Sequence, residues 1–195
     1  YNGSGPSATI TVEATTTTGS LSIRNTGSTA NTVTFGTTGP VATGPLSVSL
    51  LGGANNVTLD QITVTGNASI QTGGGDDTIT IGDAGAAGVS ITGKTTLITG
   101  AGDDAILIGA NAAGGTVALS GFVLVQMGAG VDNCTLGANT SNSVGTAIDS
   151  RAFLFDGGAD PLGSNTITVS LTVIDPAIDL ATFNKFRRFV IVTIT

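Results

Sequence analysis

Five aspartates set among glycines are the residues of this chain best suited to chemistry. Asp76 and Asp77 follow Thr72-Gly73-Gly74-Gly75, Asp103 and Asp104 follow Thr99-Gly100-Ala101-Gly102, and Asp132 follows Met127-Gly128-Ala129-Gly130-Val131. Clustered carboxylates offer hard oxygen ligands, and Gly-rich turns can add backbone carbonyls, which together make a donor set for Ca²⁺. Paired carboxylates could also serve glycoside hydrolysis as acid and base. The plainer reading is that Asp belongs in such turns because it hydrogen-bonds its own backbone and tolerates the left-handed conformation. Other chemistry is closed: the 195 residues include no His, which removes imidazole as base, metal ligand or near-neutral switch. A net charge of −7 would be repelled by a phosphate backbone, which excludes a nucleic-acid partner.

The segments recur at fixed spacing, and that spacing dictates the elements that must hold them. The motif that begins at Thr72 returns 27 residues later at Thr99 and 28 residues after that at Met127. Degenerate copies extend the register to Asn31-Thr32-Val33-Thr34-Phe35-Gly36, Asn55-Asn56-Val57-Thr58-Leu59 and Asn165-Thr166-Ile167-Thr168-Val169. Within the unit from Asn67 to Gly93, three stretches alternate in and out: Ala68/Ile70/Thr72, Ile79/Ile81 and Val89/Ile91. The next unit supplies Leu97/Thr99, Ile106/Ile108 and Val117/Leu119, and the one after it Val125/Met127, Cys134/Leu136 and Val144 or Ile148. A repeat of this length with three strands predicts an all-β, right-handed parallel β-helix, a solenoid whose neighbouring coils lie about 4.8 Å apart. A β-sandwich also has many short strands, but it does not require residues one repeat apart to match at all three. Stacking would set Asp77, Asp104 and Asp132 in a column with Asp76 and Asp103 beside it, and carboxylates so placed repel by on the order of 1 kcal/mol in water. Cys134 takes the column of Ile79 and Ile106, so it reads as a small buried hydrophobe.

The Gly-Asp segments resemble the core of the RTX nonapeptide at Gly73, Gly75, Asp77 and Ile79, at Gly100, Gly102, Asp104 and Ile106, and at Gly128, Gly130, Asp132 and Cys134. That family binds Ca²⁺ between the turns of a parallel β-roll, so the resemblance implies Ca²⁺ at these aspartates. The longer spacing is similar to that of bacterial cell-surface proteins built from degenerate Gly-Asp repeats in a parallel β-helix. It implies an extracellular, structural or adhesive role.

The chain reads as one β-helix domain over 1–195, with a strand or lid over 1–19, coils over 20–174 and a cap with a tail strand over 175–195. Asp175-Pro176 is a helix start, with Asp as N-cap and Pro at the first helical position, and it predicts a short capping helix. Phe153 and Phe155 are expected to face outward with Ile98 and Leu124, as an apolar stripe that receives the C-terminal segment or a neighbour. Phe183, Phe186 and the uncharged, β-prone run Phe189-Val190-Ile191-Val192-Thr193-Ile194-Thr195 must then pair with this domain or with another subunit. Residues 1–182 hold 3 bases and 13 acids, net −10, and residues 183–195 hold Lys185, Arg187 and Arg188, net +3. An acidic body and a basic, apolar tail suit head-to-tail contact, a heterologous interface that makes a filament when it does not close.

The leading expectation is therefore an extracellular structural or adhesive surface protein, a subunit of a head-to-tail homopolymer or surface array, and not an enzyme. A second class is ligand binding on a flat face, with glycan or ice as candidates. The outward pairs Thr32/Thr34, Thr78/Thr80 and Thr166/Thr168 suit a regular water lattice, although Asn56/Thr58, Ala105/Leu107 and Asn133/Thr135 interrupt them. A polysaccharide-active enzyme is the third: lyases of this architecture use an Arg or Lys base beside Ca²⁺, whereas Arg24, Lys94 and Arg151 are scattered. Sequons stand at Asn2, Asn56, Asn67, Asn133 and Asn139. No apolar run approaches the roughly 20 residues of a membrane span, and no leader pattern opens the chain. The missing initiator Met fits a processed leader.

Overall fold

The computed structural model describes residues 1–3, 5–82, 88–111, 115–137, 140–141, 153–158, 165–169, 186–187 and 191–194. These residues are all-β, in three parallel sheets, with no helix among them. The capping helix expected after Asp175 lies outside the described residues, as do Phe183, Arg188, Phe189, Val190, Val144 and Ile148.

The first sheet contains β1 (Asn2–Gly3), β3 (Leu21–Asn25), β6 (Leu46–Gly52), β9 (Ala68–Gly74), β12 (Thr95–Ile98), β15 (Val123–Gln126), β18 (Phe153–Asp156) and β20 (Phe186–Arg187), paired in that order. The second contains β2 (Thr9–Val12), β4 (Thr32–Phe35), β7 (Asn56–Leu59), β10 (Thr78–Ile81), β13 (Ala105–Ile108), β16 (Asn133–Leu136), β19 (Thr166–Val169) and β21 (Ile191–Ile194). The third contains β5 (Val41–Thr43), β8 (Ile62–Val64), β11 (Val89–Ile91), β14 (Val117–Leu119) and β17 (Thr140–Ser141). From β3 to β19 the chain visits the three sheets in turn, and each strand pairs with its equivalents in the circuits before and after, except β5 and β17, which end the third sheet with one partner each. The third-sheet strand after β16 is thus Thr140–Ser141, nearer in sequence than the Val144 or Ile148 expected to supply it.

The strands form because β-branched and apolar residues alternate with Thr, Ser and Asn, which suits a pleat with one dry face. The repeat distances become register: Ile79 pairs with Ile106, and Ile106 with Cys134. Val33, Val57, Ile79, Ile106, Cys134 and Ile167 make one buried column, and Phe35, Leu59, Ile81, Ile108, Leu136 and Val169 make the next. Ile23, Val48, Ile70, Leu97, Val125 and Phe155 face them from the first sheet, and Ile62, Val89 and Val117 from the third. Each such side chain contributes about 1.5–3 kcal/mol by leaving water.

The expected stripe of Ile98, Leu124, Phe153 and Phe155 is corrected by this register. Phe155 is paired with Val125 and is completely buried, while Phe153 takes the register position of Val123. Leu124 and Ile98 do alternate outward, where their register neighbours are Leu154 and Gln126. The terminal segment pairs within its own chain: Phe186 with Phe155, Arg187 with Asp156, and Ile191 and Val192 with Thr166 and Ile167.

Candidate functional site

One residue per circuit stands immediately before each interior strand of the second sheet: Asn31, Asn55, Asp77, Asp104, Asp132 and Asn165. All six are buried. Their side chains build a ladder that joins circuit to circuit. Asn55 Oδ1 accepts the Asn31 N–H at 3.2 Å, Asp77 Oδ1 the Asn55 N–H at 2.7 Å, and Asp104 Oδ1 the Asp77 N–H at 2.8 Å. Asp132 Oδ1 then accepts the Asp104 N–H at 3.0 Å and Asn165 Oδ1 the Asp132 N–H at 2.6 Å. At the other end Asn31 Oδ1 accepts from Ala8 N–H at 3.1 Å. Without these acceptors a row of corner N–H groups would be buried unpaired, at about 1–3 kcal/mol each.

Amides and carboxylates fill the ladder differently. Asn31 Nδ2 donates to the Thr29 carbonyl at 2.9 Å and to Asn55 Oδ1 at 2.8 Å. Asn55 Nδ2 repeats the pattern with the Gly53 carbonyl at 2.6 Å and Asp77 Oδ1 at 2.9 Å. In Asp77 and Asp104 the equivalent atom is Oδ2, which is buried with no donor in hydrogen-bonding geometry; beside Asp104 the Thr99 hydroxyl is likewise buried, close to the carboxyl but not aligned with it. Burial pushes the Asp104 carboxyl up to about 6; Thr99 and the Asp77 N–H oppose that rise, and the charges of Asp77 and Asp132 add to it.

Asp76 and Asp103 lie on the exposed side of the same turns, because consecutive residues face opposite ways. Asp76 Oδ1 accepts the Asp103 N–H and Asp103 Oδ1 the Val131 N–H, both at 2.9 Å, which makes a second, outer ladder. The five aspartates therefore do not converge. Among the described residues no group of three or more His, Cys, Asp or Glu side chains is placed to hold a metal ion. The Oδ1 atoms of all five aspartates expected as Ca²⁺ ligands, Asp76, Asp77, Asp103, Asp104 and Asp132, each accept a backbone N–H.

The outward face of the second sheet repeats from strand to strand. Parallel pairing aligns Thr9, Thr32, Asn56, Thr78, Ala105, Asn133 and Thr166 in one column, and Thr11, Thr34, Thr58, Thr80, Leu107, Thr135 and Thr168 in the next. All are exposed or half-buried. Thr9 and Thr11 extend by one strand the face that the repeat alone suggested.

Glu13, which no repeat motif marks, ties the turn after β2 to the next circuit. Its Oε1 accepts from the N–H and hydroxyl of Thr37, and its Oε2 from the Thr38 and Gly39 N–H groups at 3.0 Å each. The Thr37 hydroxyl and these amides hold its carboxyl down at about 2, against a smaller opposing effect of burial. Cys134 is a buried free thiol whose pKa burial raises, in keeping with its place in the core. Arg24 is exposed on β3 and Lys94 Nζ sits 5.9 Å from the Phe122 ring centre, while Arg151 lies outside the described residues.

No family model, no curated protein and no solved structure matches the chain.

Proposed function

We propose that this chain is a structural module of an extracellular surface array, a right-handed parallel β-helix with three strands per coil that stacks head to tail on a second copy of itself. The observation that carries the reading is the pair of edges of the second sheet. Among the described residues its outermost strands β2 and β21 have four residues each, while those of the first sheet, β1 and β20, have two. Neither Thr9–Val12 nor Ile191–Ile194 contains a charge or a proline, the usual guards against edge pairing. The Thr-Ile-Thr-Val of β2 is also the sequence of β19, the strand on which β21 lies.

A parallel sheet has two unlike edges, so an edge of this kind complements the opposite edge of another copy. Laid on β21 of a neighbour, β2 would continue both buried columns, Ile10 beside Val192 and Val12 beside Ile194. The net −10 of residues 1–182 against the +3 of residues 183–195 favours the same polarity. Scarce Lys and Arg with abundant Thr and Gly support an extracellular setting, and right-handed crossovers are the strong rule for parallel strands.

Thr11→Pro separates assembly from folding. The Thr32 N–H donates back to the Ala8 carbonyl and the Gly36 N–H to Val12, so by alternation the Thr9 and Thr11 N–H groups point away from β4. Proline at 11 removes an open-edge donor and leaves the pairing with β4. We expect light scattering to show higher species for the wild type at high concentration and only monomer for Thr11→Pro, with similar melting. A monomeric wild type, or a Thr11→Pro protein that assembles equally well, would overturn the proposal.

A further inference from the structure

We infer that the outward face of the second sheet is a binding surface for an ordered water lattice, and that the chain adsorbs to ice. In the column that begins at Thr11, six of seven positions are Thr, with Leu107 as the exception. Each Thr presents a hydroxyl, which donates and accepts, beside a methyl, and its β-branch stiffens χ1. Backbone pairing therefore sets hydroxyls and methyls about 4.8 Å apart across strands and about 6.6 Å apart along them, over seven strands or about 29 Å. The groups are in place before anything binds, so little ordering is lost on contact.

Charge and shape narrow the occupant. The protein carries −7, yet none of the fourteen residues in the two columns is charged. A neutral face in an acidic molecule complements a neutral partner and gives no hold on a mineral or an anionic polymer. The columns contain no aromatic ring and lie on a sheet, whereas small soluble ligands are held in concave, largely apolar sites. What remains is a solid that repeats in two dimensions and hydrogen-bonds in both senses, and water in its lattice does both. Asn at 56 and 133 keeps hydrogen-bonding groups in the columns, and Ala105 with Leu107 divides them.

Thermal hysteresis and ice-crystal shaping test this, and measuring them on the wild type at a dilution where light scattering shows only monomer as well as at high concentration keeps the result independent of assembly. The protein is expected to shape ice and depress growth in both states. The double variant Thr58→Lys, Thr80→Lys should lose the effect while keeping its melting temperature, and Leu107→Thr, which closes the gap in the second column, should increase it. No shaping by the wild type would overturn the inference. So would full activity in a folded double-Lys variant, or retention on crystalline polysaccharide with no effect on ice.

Discussion

Asp104→Asn is expected to stabilise the protein at pH 7 by about 2 kcal/mol, although it removes a hydrogen-bonded buried carboxylate. Asp104 Oδ1 accepts one backbone N–H, but Oδ2 is buried without a hydrogen bond, and the chain stacks Asp77 and Asp132 on either side. Burial raises the carboxyl from 3.8 to about 6, so folding favours its protonated form. The stability tied to this proton is complete below 3.8 and is lost as pH rises through 6; the full shift corresponds to about 3 kcal/mol. An amide avoids the loss, and Asn55 shows how it would sit, with its Nδ2 on the next ladder oxygen at 2.9 Å. Glu13 works in the opposite sense: its depressed carboxyl supports the fold above 4.5 and that support is lost as pH falls towards 2. Chemical denaturation across pH should therefore show Asp104→Asn gaining on the wild type as pH rises from about 4 to about 6. A variant weaker than the wild type at pH 7, or a difference that does not change with pH, would refute the ionisation argument.

Gly100→Ala should destabilise the fold by about 3 kcal/mol or more. A Cβ at residue 100 would lie 1.5 Å from the Gly73 carbonyl oxygen, and one at residue 128 would lie 1.3 Å from that of Gly100. Neither oxygen can yield easily: Gly73 accepts the Ala101 N–H at 3.0 Å and Gly100 the Ala129 N–H at 2.9 Å. These glycines are where successive turns touch backbone to backbone. Gly74 is the control, since a Cβ there meets nothing nearer than the Ala101 carbonyl oxygen at 3.9 Å, and Gly74→Ala should be near neutral. Urea unfolding of the two variants side by side reads the difference, and equal midpoints would mean that the turns are not stacked.

The parallel pairing was legible in the sequence because period-2 strands recur at a nearly constant distance. Ile79, Ile106 and Cys134 fall into one column for that reason, and the degenerate copies at Asn31, Asn55 and Asn165 fall into line with them. What was not legible was phase wherever a circuit departs from the repeat. The 16 residues between β16 and β18 break the count, so the repeat alone places Phe155 outward, whereas it pairs with Val125 and Leu154 takes the outward position. Phase also decides the chemistry of the aspartates. Adjacent Asp76 and Asp77 look like a pair in sequence, but the pleat sends one to solvent and the other inward. The signal for the inner ladder was present, since Asn31, Asn55 and Asn165 occupy the slot of Asp77, and an amide there fits a hydrogen-bonding role better than a metal-binding one. Glu13 had no such signal, because its partners are backbone amides about 25 residues away that only the fold brings close.

The proposed stacking of copies has a direct readout in electron microscopy of the concentrated chain. With eight strands in the second sheet among the described residues of each copy, unbroken pairing from β21 to the next β2 predicts unbranched filaments with an axial subunit repeat of about 38 Å. Particles that stay single at every concentration, or that join as closed two-fold pairs, would contradict it.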